Sequence, residues 1–98
     1  MAEVRWTAQA LGDLEAITNF IAHDSTHYAS LFVIDVFAAT ERLEQFPDSG
    51  RVVPEKNDPR IREIILGNYR IVYRHRENVV ELLTIHHGAM LLDPTHLG

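Results

Sequence analysis

Cysteine is absent from the 98 residues of this chain, which excludes disulfides, thiol nucleophiles and thiolate metal ligands. Long apolar runs are absent as well. No stretch approaches the roughly 20 residues that a helix needs to cross a bilayer, so no membrane partner is expected. The opening residues, Met1-Ala2-Glu3-Val4-Arg5-Trp6, lack a basic stretch followed by an apolar core, so they do not read as a secretory signal and the expected location is cytoplasmic. There is no Gly-rich phosphate loop, no serine–histidine–acid arrangement and no paired-carboxylate signature. The length suits one compact domain over residues 1–98, without repeats, low-complexity tracts or an interdomain linker.

Positive charge is scarce in the first half. Residues 1–50 hold only Arg5 and Arg42 against eight acidic side chains. Residues 51–76 reverse this, with seven basic side chains against three acidic ones, and the rest of the chain is acidic, for a net charge of −5. Such a total argues against a general nucleic-acid binder, while the local reversal marks a surface suited to carboxylates or phosphates.

The pattern along the chain reads as strand, helix, helix, then three strands. Glu3 to Trp6 is a short strand, and Thr7 caps a helix over about Ala8 to Ala22. Ala10, Leu14, Ile17 and Ile21 form the buried stripe of that helix, with Asp13 and Glu15 turned to water. Gly12 interrupts it at a cost of about 1 kcal/mol relative to alanine, which points to a close helix or strand crossing. Asp24 or Ser25 can cap a second helix over about Thr26 to Phe46, ended by Pro47. This helix is apolar on more than one stripe (Tyr28, Leu31, Phe32, Val36, Ala39, Leu43), with Asp35 as the exception at that spacing. One stripe packs on the first helix and one on the sheet; any remainder is a place for a partner.

Arg60 to Gly88 reads as an antiparallel meander with turns at Gly67-Asn68 and Arg76-Glu77-Asn78. Alternation puts Tyr69, Ile71 and Tyr73 on one face, and Arg70, Val72 and Arg74 on the other. Arg60 and Arg62 share a face of the preceding strand, and the hairpin is expected to set the two arginine pairs on neighbouring strands. Forked, permanently charged guanidinium groups grouped this way suit anions. His86 and His87 point to opposite faces, so a shared metal ion is not expected; His75 and His87 are candidates for proton transfer.

The segments W-T-A-Q-A-L-G-D-L-E-A-I, F-P-D-S-G-R-V-V-P-E, R-E-I-I-L-G-N-Y-R-I-V-Y-R and I-H-H-G, in this order, resemble the RelE/ParE superfamily of type II toxin–antitoxin toxins, most closely its ParE-like plasmid-stabilisation branch. The resemblance covers nearly the whole chain. It implies an α+β fold in which two helices pack on an antiparallel four-stranded sheet. It also implies a cytoplasmic toxin without a cofactor, neutralised by a cognate antitoxin and existing as a homodimer or a toxin–antitoxin hetero-oligomer. DNA would be met only indirectly, through the antitoxin. Tyr28, Leu31, Phe32 and Asp35 are the antitoxin-binding candidates, and Arg60, Arg62, Arg70 and Arg74 the target-binding candidates.

Two activities divide that superfamily: inhibition of DNA gyrase, and ribosome-dependent cleavage of mRNA. The second would rest here on Arg62, Arg70 and His87, but RelE-like ribonucleases typically add basic and tyrosine residues near the carboxy terminus. After Gly88 this chain reads Ala-Met-Leu-Leu-Asp-Pro-Thr-His-Leu-Gly, with no arginine, lysine or tyrosine. The gyrase-directed activity is therefore the expected one, with the ribonuclease or a non-toxic antitoxin-binding relic as alternatives.

Overall fold

A computed structural model describes residues 1–88. Thr7 begins the helical layer as expected: its side chain accepts the Ala10 N–H at the start of α1, Ala8–Asp24. Ser25 then serves twice. Its backbone N–H closes α1 on the Ile21 carbonyl, and its hydroxyl accepts the Tyr28 N–H to open α2, Thr26–Glu41. The helical run expected to reach Phe46 tightens at Arg42–Glu44 into a 3-10 turn.

The strands are β1 (Glu3–Trp6), β2 (Arg51–Val52), β3 (Ile61–Leu66), β4 (Tyr69–Arg76) and β5 (Val79–His87), in the sheet order β1-β5-β4-β3-β2. The α+β architecture of two helices on a sheet is the one expected, with two differences of detail. The two-residue β2 adds a fifth strand, too short for alternation to signal. β1 lies parallel to β5 while β2 to β5 pair antiparallel, making the sheet mixed. Two-residue turns join the meander. Gly67 takes a φ of 57° between Leu66 and Tyr69, while Glu77 and Asn78, at 53° and 62°, link Arg76 to Val79.

The main core lies between helices and sheet. Ala10, Phe32, Val36 and Leu43 meet Ile71, Tyr73, Val80, Leu82 and Ile85 there, with Ile17, Ile21, Ile64 and Tyr69 packed alongside. The opposite face carries a small second cluster of Val53, Ile61 and Val72, flanked by Leu83. The segment after β2 folds over that face through Val53 N–H to Ile61 O and Asn57 N–H to Val53 O.

Two expectations for α1 are overturned. Asp13 faces the sheet: one carboxylate oxygen accepts both the Thr84 hydroxyl at 2.5 Å and the Ile85 N–H at 3.0 Å. These groups lie beside the β4/β5 register shift at Val72/Tyr73, where a bulge leaves backbone groups out of the ladder for a side chain to satisfy. Gly12 sits at no close crossing, since a Cβ built there meets nothing within 4 Å.

Candidate functional site

The two-residue Gly67-Asn68 turn sets the arginines apart. Leu66 pairs with Tyr69, so even-numbered residues of β3 stand opposite odd-numbered residues of β4: Arg62 opposite Tyr73, Ile65 opposite Arg70 and Ile61 opposite Arg74. Residues directly opposite share a face. Arg62 therefore lies on the helix side with Tyr73, whereas Arg70 and Arg74 lie on the other side. The expected grouping of Arg60 and Arg62 with Arg70 and Arg74 is not what the register produces.

Each of these guanidinium groups is already engaged. Arg70, only 5% exposed, gives its Nε to Glu63 at 2.5 Å and both terminal nitrogens to the Glu55 carboxylate at 2.7 and 2.8 Å. Glu63 is itself buried and also accepts Arg51 Nε at 2.6 Å. The bidentate Glu55 partner is the main cause that holds Arg70 still more firmly charged than an ordinary arginine, against the opposing effect of burial, with Glu63 adding to it. Arg74 donates to Glu81 at 2.5 Å. Arg60 lies outside β3 and forks onto Asp58, whose carboxyl it lowers to about 2 by side-chain and then backbone hydrogen bonds. Arg62 donates to the carbonyls of Pro59 and Gly50 at 2.9 and 3.0 Å, pinning the segment before β2 to the sheet.

Of the three residues on which ribonuclease chemistry would rest, Arg70 and His87 line one open groove together with Arg51, Glu55, Ile65 and Gly88. Arg62 is on the opposite face. His87 also sets its ring edge-on to Tyr69 at 5.5 Å. His75, at the other end of β4, joins its Nδ1 to Asp48 at 2.8 Å. Among the described residues no group of three or more His, Asp or Glu side chains gathers in a metal-binding cluster. The tail after Gly88, on which part of the ribonuclease argument turns, lies outside the described residues.

A different region brings its candidates together. Tyr28, Leu31, Phe32 and Asp35 line one open hollow against the β3–β4 hairpin residues Leu66, Gly67, Asn68 and Tyr69. They recur at three- and four-residue steps on one side of α2. Phe32 packs inward on Tyr69, with ring centroids 5.2 Å apart, leaving Tyr28, Leu31 and Asp35 exposed. A second hollow lies at the α2–β3 boundary, lined by Ala39, Arg42, Ser49, Gly50, Arg51 and Glu63 to Ile65. Sequence reasoning missed Arg42 in this furrow, and Glu55 and Glu63 as the partners of Arg70. Glu63 had a legible signal: an acid between Ile61 and Ile65 at an inward register position requires a buried cation.

A family model for the ParE toxin of the parDE type II toxin–antitoxin system matches residues 4–92. The chain belongs to the ParE toxin family. Toxin RelE2 of Caulobacter vibrioides is 32% identical over 92 residues, 93% of this chain and 100% of the relative. Y4kP of Sinorhizobium fredii is 35% identical over 87 residues, 87% of this chain and 86% of the relative. Among solved structures, a chain of a chromosomal ParDE system from P. aeruginosa superposes with a TM-score of 0.72 at 23% identity, covering 89% of this chain and 96% of that one. This last likeness establishes the fold, with two ParE-type helices on the sheet. The protein is a type II toxin–antitoxin toxin of the ParE/RelE family. No helix among its described residues is long and apolar enough to cross a membrane.

Proposed function

We propose that this ParE-family toxin acts by binding a protein, DNA gyrase, and is neutralised by a cognate antitoxin seated in the furrow between α2 and the β3–β4 hairpin. The observation that carries this reading is the commitment of the sheet arginines. Stabilising the charge that builds on a phosphate during RNA cleavage calls for donors aimed at that phosphate. Here Arg60, Arg70 and Arg74 already serve carboxylates, and Arg62 serves backbone carbonyls. The exposed surface instead offers apolar area to a protein partner: Phe20, Tyr28, Ile34 and Phe46 are each more than half exposed. Patches of this kind on a small domain mark protein contacts. A net charge of −5 is likewise suited to meeting DNA only through the antitoxin.

The name of the Caulobacter relative, RelE2, and the shared groove of Arg70 and His87 favour mRNA cleavage on the ribosome as the second reading. Purified, antitoxin-free toxin added to a gyrase supercoiling assay separates the two. Loss of supercoiling at near-stoichiometric toxin is expected. Undisturbed supercoiling alongside cleavage of ribosome-bound mRNA would replace this reading with the second.

A further inference from the structure

The α2–β3 furrow carries two opposite charges that form no ion pair with any described residue. Asp35 stands in the wall of the first hollow and Arg42 in that of the second. Among the described residues neither side chain has an ion-pair partner, although most of the other arginines do. Arg42 keeps helical φ and ψ at the end of α2, so the seven residues from Asp35 to Arg42 make two turns and put both charges on the same side of the helix, about 10 Å apart at ~1.5 Å per residue. Tyr28, Leu31, Ala39, Ile64 and Leu66 supply apolar lining around them, and Arg51 and Glu63, which also line the second hollow, are paired with each other.

We propose that this furrow reads a charge register. The antitoxin segment that occupies it sets a lysine or arginine against Asp35 and an aspartate or glutamate against Arg42, with apolar side chains over Tyr28 and Leu31. The proposal rests on the antitoxin reading given above and adds its chemistry: apolar contact supplies the hold, and two charges of opposite sign fix the partner's direction and register. A segment laid in the reverse direction would place like charges together at both positions, which is how charged residues at an interface reject wrong partners. The first half of the chain supports the sign of the first contact, because residues 1–50 hold eight acidic side chains, Asp35 among them, against two basic ones and so attract a basic segment over longer range.

The test uses the full-length toxin and the product of the antitoxin gene beside its own, with affinity measured by calorimetry at low and high ionic strength. Asp35→Lys and Arg42→Glu should each weaken binding by about tenfold or more at low salt, as expected where like charges are forced together, and less at high salt. Asp35→Asn and Arg42→Gln should weaken it only several-fold. Replacing one basic antitoxin residue by glutamate should restore affinity for Asp35→Lys but not for Arg42→Glu, and an acid-to-lysine change should do the converse. Leu31→Ala serves as the control for occupancy. If Leu31→Ala weakens binding while both charge reversals bind like wild type, the furrow is occupied without a register and the proposal is overturned. If none of the three changes affinity, the antitoxin sits elsewhere and it is overturned again. Supercoiling assays on the same proteins keep the target separate: a toxin that shows the register yet leaves gyrase untouched refutes the gyrase assignment alone.

Discussion

The two sides of β3 use charge in opposite ways. On the side away from the helices, Arg51, Glu55, Glu63 and Arg70 close on one another, with Glu63 and Arg70 buried. On the α2 side, Asp35 and Arg42 stand exposed along an open furrow, each without an ion-pair partner among the described residues. Charges satisfied within the chain hold the fold together and have little left to offer a ligand. Unsatisfied charges beside exposed apolar residues cost the monomer little, because water solvates them, and remain available to a partner. On the proposed reading, the arginine-bearing strands, which look most functional in one dimension, are the structural region, and Asp35, set among the apolar positions of α2, marks the interaction region.

Removing the cation at the centre of the paired network is the strongest way to break this contrast. Arg70→Ala strips Glu55 of a bidentate partner and leaves buried Glu63 with Arg51 alone, which should cost about 3–5 kcal/mol. For a domain of this size that corresponds to a melting temperature lower by more than about 12 °C. An unchanged melting curve would mean that Arg70 is held for a target and not for the fold.

Tyr73 provides the next largest effect. It is fully buried, and its hydroxyl accepts the Gly50 N–H at 3.0 Å. Tyr73→Phe orphans that N–H and should cost about 1–3 kcal/mol. Burial first of all raises the Tyr73 phenol above its ordinary range, with the Gly50 bond and then Arg62 opposing. Its share of stability is therefore fully present below the unfolded pKa of about 10 and is lost as pH rises through the higher folded value. Denaturant titrations across alkaline pH should show this extra loss in the wild type and not in Tyr73→Phe.

Smaller effects sharpen the other half of the contrast. Gly12→Ala should stabilise the toxin by about 0.5–1 kcal/mol, since it improves the helix where nothing crowds a Cβ. A loss of stability there would restore the close crossing read from the sequence. Asp35→Asn and Arg42→Gln should leave folding within about 0.5 kcal/mol of wild type while altering antitoxin affinity. Arg60→Ala should change thermal stability least. Its guanidinium is largely exposed, so the Asp58 contact is screened by water, and NMR titration should find the Asp58 carboxyl returning from about 2 toward 3.8. In the wild type any stabilisation from this contact is present above pH 3.8 and lost as pH falls through about 2.

Much of the scaffold was legible because its signals are local. Thr7 and Ser25 cap the helices through their own side chains, and Gly67 turns the hairpin at a positive φ. What was not legible depends on register and on distant partners. That Arg62 leaves the face of Arg70 follows from a two-residue turn pairing Leu66 with Tyr69, a consequence that grouping arginines within each strand overlooks. That Asp13 turns inward depends on a bulge 71 residues away, which no window on α1 contains. The parallel pairing of β1 and the two-residue β2 leave no periodic trace. The candidates on α2 gathered at one hollow because helical spacing alone puts Tyr28, Leu31, Phe32 and Asp35 on one side of the helix; the same spacing carries on to Arg42, which following the stripe through its apolar positions Ala39 and Leu43 passes over.

The measurement that bears most directly on a protein-binding, gyrase-directed toxin is pulse-labelling of DNA and protein synthesis after the chain is induced in bacteria without antitoxin. DNA synthesis should fall first, with translation following later. An early collapse of protein synthesis while DNA synthesis continues would contradict the account, and would require a phosphate-handling site that the paired arginines of the sheet do not provide.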